Sequence, residues 1–469
     1  MTQVLGDASV SELEGAIAGT VIRPQDPEYD QARKVWNAAH DKHPALVVRP
    51  TSTEDVVRTV RFARSEGLPI AVRGGAHSIA GFSTCDDGIV IDLAEMSSVQ
   101  VDVPGRRAVT GGGAKWKDFD AATQQHGLAT TGGLVSSTGV GGFALGGGIG
   151  HLVRKHGLTS DNVLSVELVT ADGSVVRASG SENPELFWAL RGGGGNFGVA
   201  TSFELALHPV GPEVIGGVVF YPGDEAAQVV SGWRDLVGGF PDELSTLVNL
   251  TTAPPAPFIP EEWHFRKVAA VIACWAGDAA EGEDAVKPLR VLGTPINDLL
   301  GPIPYLGLQS LIDPLWEPGA ANYFTSAFLG GLPDDAIATF VDFHRHSADL
   351  PVQAELHIHH LGGAMGRVAP GASPFTDRTS PFILNAIART PDPAQLPEHT
   401  EWARNARNAM AAYGNGSTYV NFTGEGGADK VKQAYPPEIY ARLQSVKDQY
   451  DPTNVFRFNQ NIAPSRADA

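Results

Sequence analysis

Hydrophobic and polar positions repeat with two different periods along the N-terminal half of the chain. An amphipathic helix is predicted from Ser52 through Arg64, because Ser52 can cap its start, Asp55 follows three residues later and Gly67 stops it. A short apolar strand is predicted directly after it, at 68–72, and further strand-like runs lie at 89–93 and 107–110. Helices and strands joined by short connections indicate an α/β arrangement.

The pattern continues with a hairpin, a helix and a strand. Apolar runs at 164–169 and 174–178 flank Ala171-Asp172-Gly173, a sequence typical of a hairpin turn. Residues 181–190 predict a helix with Pro184 near its first turn, and 201–207 predict a strand with period-two alternation.

The character of the sequence changes after Pro209. Glycine clusters become rarer and longer strand or helix runs appear, which predicts three parts. These are a first domain over 1–209, a second domain over 210–425, and a C-terminal segment over 426–469 that returns to the first domain.

Composition excludes several classes of partner. The 469 residues are 42% hydrophobic and 19% charged, as in an ordinary globular enzyme, and the net charge of −19 argues against nucleic acid or an anionic membrane. Two cysteines, Cys85 and Cys274, cannot build a disulfide framework, and no CxxC metal pattern is present. The N-terminus carries acids where a signal peptide needs basic residues, so a cytoplasmic location is expected.

Glycine is the unusual component, with 54 residues gathered mainly at 74–81, 111–113, 132–150 and 192–198. Residues 193–198 match GxGxxG, but a helix precedes them and a strand follows, which is the wrong context for a Rossmann nucleotide loop. A backbone so rich in glycine approaches other groups closely, and its free N–H groups suit a flat ring or a diphosphate.

The segment 139–150 holds seven glycines in twelve residues, so it is predicted to be neither a good helix nor a good strand. Its interleaved apolar residues favour a buried loop over a flexible surface loop. His77 lies in another glycine-rich loop. A lone histidine near a turn is usually a surface or structural residue, but this setting favours a functional one.

Residues 353–359 alternate, so Gln353, Glu355, His357 and His359 share one strand face. An exposed sheet edge would explain this polar face equally simply. The two histidines could also bind a metal, although no third ligand is evident.

Four segments together resemble one family: 73–78, 138–150, 183–198 and 450–462. They are similar to the vanillyl-alcohol-oxidase-type flavoproteins, and within these to the berberine-bridge-enzyme-like FAD-linked oxidases. The similarity extends over nearly the whole chain and favours bacterial polyketide-modifying or 6-hydroxynicotine-oxidase-like members. It implies an α+β fold, in which a two-part FAD-binding domain with glycine-rich diphosphate loops joins a substrate domain whose antiparallel sheet is covered by helices.

The resemblance implies FAD bonded through its 8α-methyl group to His77. Many members add a cysteine bond at the position of Val135, and Cys85 lies in the wrong loop to replace it, so a single bond is expected. Thr138 matches a position that controls oxygen at the flavin, or it stabilises a turn. The other implied cofactor contacts are Arg73, Gly74, Gly75, Ala76, Ser78, Gly81, Gly139, Gly141, Gly142, Gly146, Gly150, Gly198, Val199, Tyr419, Asn421, Asn459 and Asn461.

The implied reaction removes hydride from a small organic substrate to FAD, which molecular oxygen then reoxidises. An aromatic, phenolic, polyketide-like or secondary-alcohol substrate is expected; an oligosaccharide oxidase, an oxygenating flavin enzyme and a flavin carrier without turnover are the alternatives. Such chemistry needs a base. Glu355 is the first choice, followed by His357 and His359. Four aromatic residues either shape the pocket or belong to the core: Tyr305, Trp316, Tyr323 and Phe324.

Overall fold

The computed structural model describes residues 6–349 and 352–466. The outermost ends of the predicted first domain and C-terminal segment, and the first residues of the acidic N-terminus, lie outside these ranges. Within them, no helix is both long enough and apolar enough to cross a membrane.

The first part of the chain forms a four-stranded sheet in which β2, β4 and β3 run parallel and β1 pairs antiparallel with β2. Its elements are α1 (Asp7–Ala16), β1 (Thr20–Ile22), α2 (Tyr29–Ala32), β2 (Leu46–Arg49), α3 (Thr53–Ser65), β3 (Ile70–Arg73) and β4 (Ile89–Asp92). The capped helix of the sequence is confirmed as α3, where the Asp55 N–H donates to the Ser52 hydroxyl at 3.2 Å.

A five-stranded antiparallel sheet follows, in the order β5-β6-β10-β8-β9, with a separate β7–β11 pair. Its elements are β5 (Val99–Asp102), β6 (Arg107–Gly111), α4 (Trp116–Gln124), β7 (Leu128–Ala129), α5 (Val140–Leu145), α6 (Val153–His156), β8 (Val163–Val169), β9 (Val175–Ser179), α7 (Pro184–Leu190), β10 (Val199–Ala206) and β11 (His208–Pro209). The predicted hairpin is β8–β9, and the predicted helix and strand after it are α7 and β10.

The prediction for 139–150 was wrong in one respect, because its first half is the helix α5. Val140, Ala144 and Leu145 are buried in the same apolar cluster as Phe203. Burial of this short apolar face outweighs the low helix propensity of its glycines.

The third part is an eight-stranded antiparallel sheet in the order β15-β12-β14-β13-β18-β19-β17, with β16 also paired to β12. Its elements are β12 (Glu213–Pro222), α8 (Ala226–Val237), β13 (Leu244–Thr252), β14 (Lys267–Trp275), α9 (Ala279–Val286), β15 (Asn297–Asp298), β16 (Gly301–Pro304), α10 (Tyr305–Gln309), β17 (Ala321–Leu329), α11 (Asp334–Arg345), β18 (Gln353–His360), α12 (Ala364–Arg367), β19 (Phe382–Thr390) and α13 (Leu396–Met410). Helices α8, α11 and α13 cover one face, where Trp233, Phe340 and Ala403 join the core.

Strand β18 is an inner strand, paired with β13 on one side and β19 on the other. The exposed-edge interpretation of its polar face was therefore wrong. Leu356 and Ile358 pack under the helices, so period-two alternation turns His357 and His359 toward the opposite face of the sheet.

The last two helices, α14 (Ala428–Ala434) and α15 (Pro437–Tyr450), join the apolar cluster of the five-stranded sheet and α7. Lys447 of α15 is fully buried with Asp451 at 2.6 Å, and its ammonium also donates to the Asn196 carbonyl at 2.7 Å. The α+β fold class is thus confirmed, whereas the exact domain boundaries stay predictions.

Candidate active site

A large cleft lies between the glycine-rich loops and the face of the eight-stranded sheet that helices α8, α11 and α13 leave uncovered, with a cavity volume of about 360 Å³. This volume lies within the range of about 300–1000 Å³ that is typical of ligand and cofactor pockets. Its glycines come from all four clusters of the sequence. They are Gly74, Gly75, Gly112, Gly133, Gly139, Gly141, Gly142, Gly146, Gly194, Gly195 and Gly198.

Most residues expected to contact the cofactor line this cleft. They are Gly74, Gly75, Ala76, His77, Ser78, Thr138, Gly139, Gly141, Gly142, Gly146, Gly198, Asn421 and Asn459. The lining does not include Arg73, Gly81, Gly150, Val199, Tyr419 and Asn461.

Arg73 and Tyr419 support the cleft from behind. The Arg73 guanidinium is buried against Asp92 at 3.0 Å and donates to the Ala32 carbonyl at 2.6 Å, which anchors the end of β3. The Tyr419 hydroxyl accepts from the Gly148 N–H and from the Asn421 amide, both at 2.8 Å. Tyr419 therefore fixes the glycine loop and orients Asn421, which does line the cleft.

The other four residues that do not line the cleft are surrounded by other parts of the protein. A side chain at Gly81 would meet the His40 ring at 2.5 Å, and one at Gly150 would meet the Gly132 carbonyl at 1.8 Å. Val199 is buried in the apolar core beneath the four-stranded sheet. The Asn461 amide oxygen is buried without a hydrogen-bond partner among the described residues.

The space around two glycines indicates whether the cleft suits a flavin nucleotide. A Cβ at Gly142 or Gly195 would meet no protein atom within 4 Å, and neither residue has a positive φ. Nothing within the protein therefore requires glycine at these positions. Both line the cleft, so an added methyl group would occupy space in the cradle that a bound cofactor needs. The residues present fit FAD.

His77 stands in the cleft wall with its ring held on two sides. The Trp36 ring stacks on it with centroids 4.7 Å apart and planes at 18°. Its Nε2 atom lies 2.9 Å from the Ser137 hydroxyl. Burial, and then the charge of Lys115, lower the pKa of His77 to about 3. The imidazole is therefore neutral at physiological pH and keeps a lone pair on one nitrogen.

Glu355 and His357 form a hydrogen-bonded pair on β18, with 2.8 Å between the carboxylate and Nε2. Only His357 lines the cleft, and Glu355 lies one step behind it, where the Asn249 amide donates to it at 3.1 Å. Burial raises the pKa of Glu355, but the interaction with His357 and the hydrogen bonds from Asn249 and Thr251 together outweigh it, and the net pKa lies below the ordinary value. The carboxylate is thus ionised and aimed at His357.

His359 and Asn385 complete the polar floor of the cleft. Burial lowers the pKa of His359 to about 3, so its ring is neutral. Asn385 lies beside His357 across the β18–β19 register, and its amide oxygen is buried without a partner among the described residues. In the described ranges no group of three or more histidine, cysteine, aspartate or glutamate residues has a geometry that could hold a metal.

The four aromatic residues named from the sequence divide equally. Trp316 and Phe324 line the cleft, with ring centroids 5.6 Å apart and an edge-to-face geometry. Tyr305 and Tyr323 belong to the apolar core. Trp36 and Asn385 also line the cleft but could not be named from the sequence pattern. Trp36 carries no local signal, and the one signal of Asn385 is that it is a lone amide in the apolar run Phe382–Ile387.

Comparison with known proteins agrees with this geometry. Residues 44–179 match the family model of the FAD binding domain, and residues 418–463 match the model described as berberine and berberine like. The chain is 33% identical over 459 residues to (R)-6-hydroxynicotine oxidase of Paenarthrobacter nicotinovorans, covering 96% of this chain and 97% of that protein. It is 32% identical over 465 residues to an FAD-linked oxidoreductase of Dictyostelium discoideum, covering 97% of each.

Solved structures share the fold. The crystal structure of 6-hydroxy-D-nicotine oxidase from Arthrobacter nicotinovorans superposes with a TM-score of 0.84 at 30% identity, covering 95% of this chain and 98% of that one. Xylooligosaccharide oxidase from Myceliophthora thermophila gives a TM-score of 0.84 at 23% identity, covering 98% and 99%, and so shares the fold alone. Because the sequence similarity extends over nearly the full length of the relatives, the chain belongs to the berberine-bridge-enzyme-like FAD-linked oxidases and is an FAD-dependent oxidoreductase.

Proposed function

We propose that this enzyme oxidises a small aromatic, phenolic, polyketide-like or secondary-alcohol substrate on an FAD anchored by His77 alone. The observation that carries the proposal is the composition of one cleft. An aromatic wall of Trp36, Trp316 and Phe324 lines the same cleft as the polar floor of β18 and β19 and the glycine cradle. A flat, mostly apolar substrate with one hydroxyl or amine matches such a cleft, because the aromatic wall buries its ring and the floor binds its polar group.

The anchor is supported by the protonation state of His77. With a pKa of about 3 its ring is neutral and can attack a carbon atom, which a protonated ring cannot do. In the bonded product, a nitrogen–carbon bond replaces one C–H bond of the 8α-methyl group and the imidazole N–H. The electron pair and both protons leave on O2 as hydrogen peroxide.

A single anchor is supported by the surroundings of the cysteines. Val135 lines the cleft, and the sequence resemblance implies that a cysteine takes this position in members with a second attachment. Cys85 and Cys274 are buried elsewhere, and burial raises the pKa of each thiol to about 12. Neither supplies a thiolate nucleophile at neutral pH.

A bound FAD would supply the hydride acceptor and the route by which the electron pair reaches O2. The protein must then take a proton from the substrate. We assign this step to His357, because its side chain reaches the cleft, and we assign Glu355 the orientation of the ring and the stabilisation of the imidazolium that forms. His359 and Asn385 would orient the polar group of the substrate.

Thr138 belongs to the cleft wall, next to the anchor loop, which is the segment 73–78 that carries His77. Its backbone carbonyl accepts from the Trp116 N–H at 3.0 Å, which fixes the turn through main-chain atoms. We propose that the hydroxyl is thereby left to interact with oxygen at the reactive face.

A steady-state screen tests the proposal, with hydrogen peroxide as the readout and aromatic alcohols, phenols and sugars as candidate substrates. Turnover of aromatic or alicyclic hydroxyl compounds supports it, and turnover of sugars alone would overturn the substrate class. Labelled oxygen from ¹⁸O₂ in the product would instead identify an oxygenating enzyme.

Three variants locate the base. His357→Gln is expected to slow anaerobic flavin reduction by about 10²-fold or more, the usual contribution of a positioned base. Gln353→Ala, on the same strand face but outside the cleft lining, is the matched control and should react normally. If His357→Gln and Glu355→Gln both reduce flavin at the parental rate, the assignment of the base is wrong. If no substrate reduces the flavin of the parent protein, the chain is a flavin carrier.

A further inference from the structure

The ring of His77 has a defined orientation in the cleft wall. The Trp36 ring covers one of its faces, and the Ser137 hydroxyl lies within hydrogen-bond distance of Nε2, at 2.9 Å. These two contacts come from segments about 40 residues before and 60 residues after the histidine. Long-range contacts of this kind do not arise from the geometry of the loop itself.

Trp36 is itself rigidly held. Its backbone N–H donates to the Ala76 carbonyl at 3.2 Å, and its indole N–H donates to the Trp316 carbonyl at 2.7 Å. Ala76 has a φ of 61°, a left-handed conformation that an alanine adopts only when its surroundings impose it. The bond from Trp36 thus helps to hold the turn that aims His77 into the cleft.

The neighbouring Asn37 binds the same segment to the chain just after His77 and to strand β17. It is fully buried, and its amide donates to the carbonyls of Ile79 and Asn322 at 2.8 and 2.9 Å. Trp36 is therefore held between the loop that carries His77 and strand β17.

Ser137 is also fixed from both sides. The carbonyl of Ser136 accepts from the Lys117 N–H at 2.8 Å, and that of Thr138 accepts from the Trp116 N–H at 3.0 Å. Among the described residues, His77 is the one hydrogen-bond partner of the Ser137 hydroxyl. Ser136 differs, because its own hydroxyl binds Asp313 and has a structural partner.

We propose that Trp36 and Ser137 are positioning residues for the self-catalysed bond between His77 and FAD. Ser137 accepts the hydrogen of Nε2, which fixes the tautomer and leaves the lone pair of the neutral ring on Nδ1. Trp36 restricts rotation of the ring, so Nδ1 would keep the orientation that the contact between Nε2 and Ser137 sets. This inference rests on the proposed function, since it needs His77 to be the anchor.

The experiment measures how fast FAD becomes covalently attached. Apoprotein is made under riboflavin limitation and mixed with FAD, and acid-stable flavin is followed by its fluorescence on a denaturing gel. Ser137→Ala and Trp36→Leu are each expected to slow attachment by about tenfold, equivalent to about 1.4 kcal/mol in the barrier. Ser137→Thr and Trp36→Phe, which keep a hydroxyl and a ring, should recover most of the rate.

Ser136→Ala is the matched control, because it removes a neighbouring hydroxyl with a structural partner. It should lower the melting temperature without slowing attachment. Non-covalent FAD binding, measured for each variant in a His77→Ala background, should stay within about threefold of the parent. This readout separates a poorly folded cleft from a misaligned ring.

The outcomes are distinguishable. Attachment at the parental rate in both Ser137→Ala and Trp36→Leu would overturn the positioning role while leaving the anchor intact. A parent protein that never acquires acid-stable flavin would instead refute the anchor in the proposed function. If Trp36→Leu does not fold, the comparison of Ser137→Ala with Ser137→Thr decides the question, and equal rates in that pair overturn the proposal.

Discussion

Replacing Gly142 by alanine separates the needs of the fold from the needs of the cofactor. Gly142 lies inside α5, is exposed to the cleft, and a Cβ there would meet no protein atom within 4 Å. Alanine favours a helix over glycine by about 1 kcal/mol, so the free energy of unfolding of the apoprotein should stay equal or rise by up to that amount. The added methyl group nevertheless enters the cofactor cradle. Overpacking of a closely fitted site costs about 1–3 kcal/mol, which predicts FAD binding weaker by about 5- to 150-fold.

The assay uses a His77→Ala background, in which FAD can be removed and added again, and follows the flavin fluorescence during titration. Gly15→Ala is the matched control, because Gly15 also lies in a helix, is exposed and has open space around its would-be Cβ, but is far from the cleft. It should gain the same small stability and bind FAD normally. If Gly142→Ala binds FAD as tightly as Gly15→Ala, then α5 is not part of the cradle.

Three further substitutions test other parts of the structure. Burial raises the pKa of Asp120 from 3.8 to about 7, although a hydrogen bond from Gln309 opposes this shift. The difference of about 3 pKa units destabilises the fold by about 4 kcal/mol once the pH exceeds 7. Asp120→Asn should therefore match the parent near pH 4 and be more stable in denaturant titrations at pH 8, and equal stability at both values would contradict this. Lys447→Met leaves the carboxylate of Asp451 buried without its charged partner, so the free energy of unfolding should fall by about 3–5 kcal/mol. A change under about 1 kcal/mol would show that the buried pair is not needed for stability. Thr138→Val should alter the rate of reaction of the reduced enzyme with O2, measured by stopped flow, and leave substrate-driven flavin reduction unchanged; an effect confined to the reductive step would refute the oxygen role.

Much of the fold could be predicted from local patterns. Helix α3 was recognisable because Ser52 and Asp55 provide a cap that is encoded within four residues. Helix α5 was not, because its stability comes from burial against Phe203, which lies about 60 residues away in the sequence. The position of β18 inside the sheet was equally hidden, since its partners β13 and β19 lie far from it along the chain.

The candidate site likewise has some features that the local sequence encodes and others that depend on distant contacts. The glycine loops and His77 are contiguous motifs, and most of their residues could be named from the sequence. The roles of Trp36 and Asn385 depend on tertiary contacts, which only the fold reveals. Glu355 illustrates an intermediate case. The alternation along its strand identifies the correct face, but not which residue on that face reaches the cleft and which lies behind it.

The central claim is that His77 alone carries the flavin. Acid precipitation of the purified protein, followed by mass spectrometry of the peptide that contains His77, tests it directly. A yellow pellet is expected, with the mass of FAD added to that peptide, no second attachment at Val135 or either cysteine, and a colourless pellet from His77→Ala. A colourless pellet from the parent protein, with all of the flavin in the supernatant, would contradict the account.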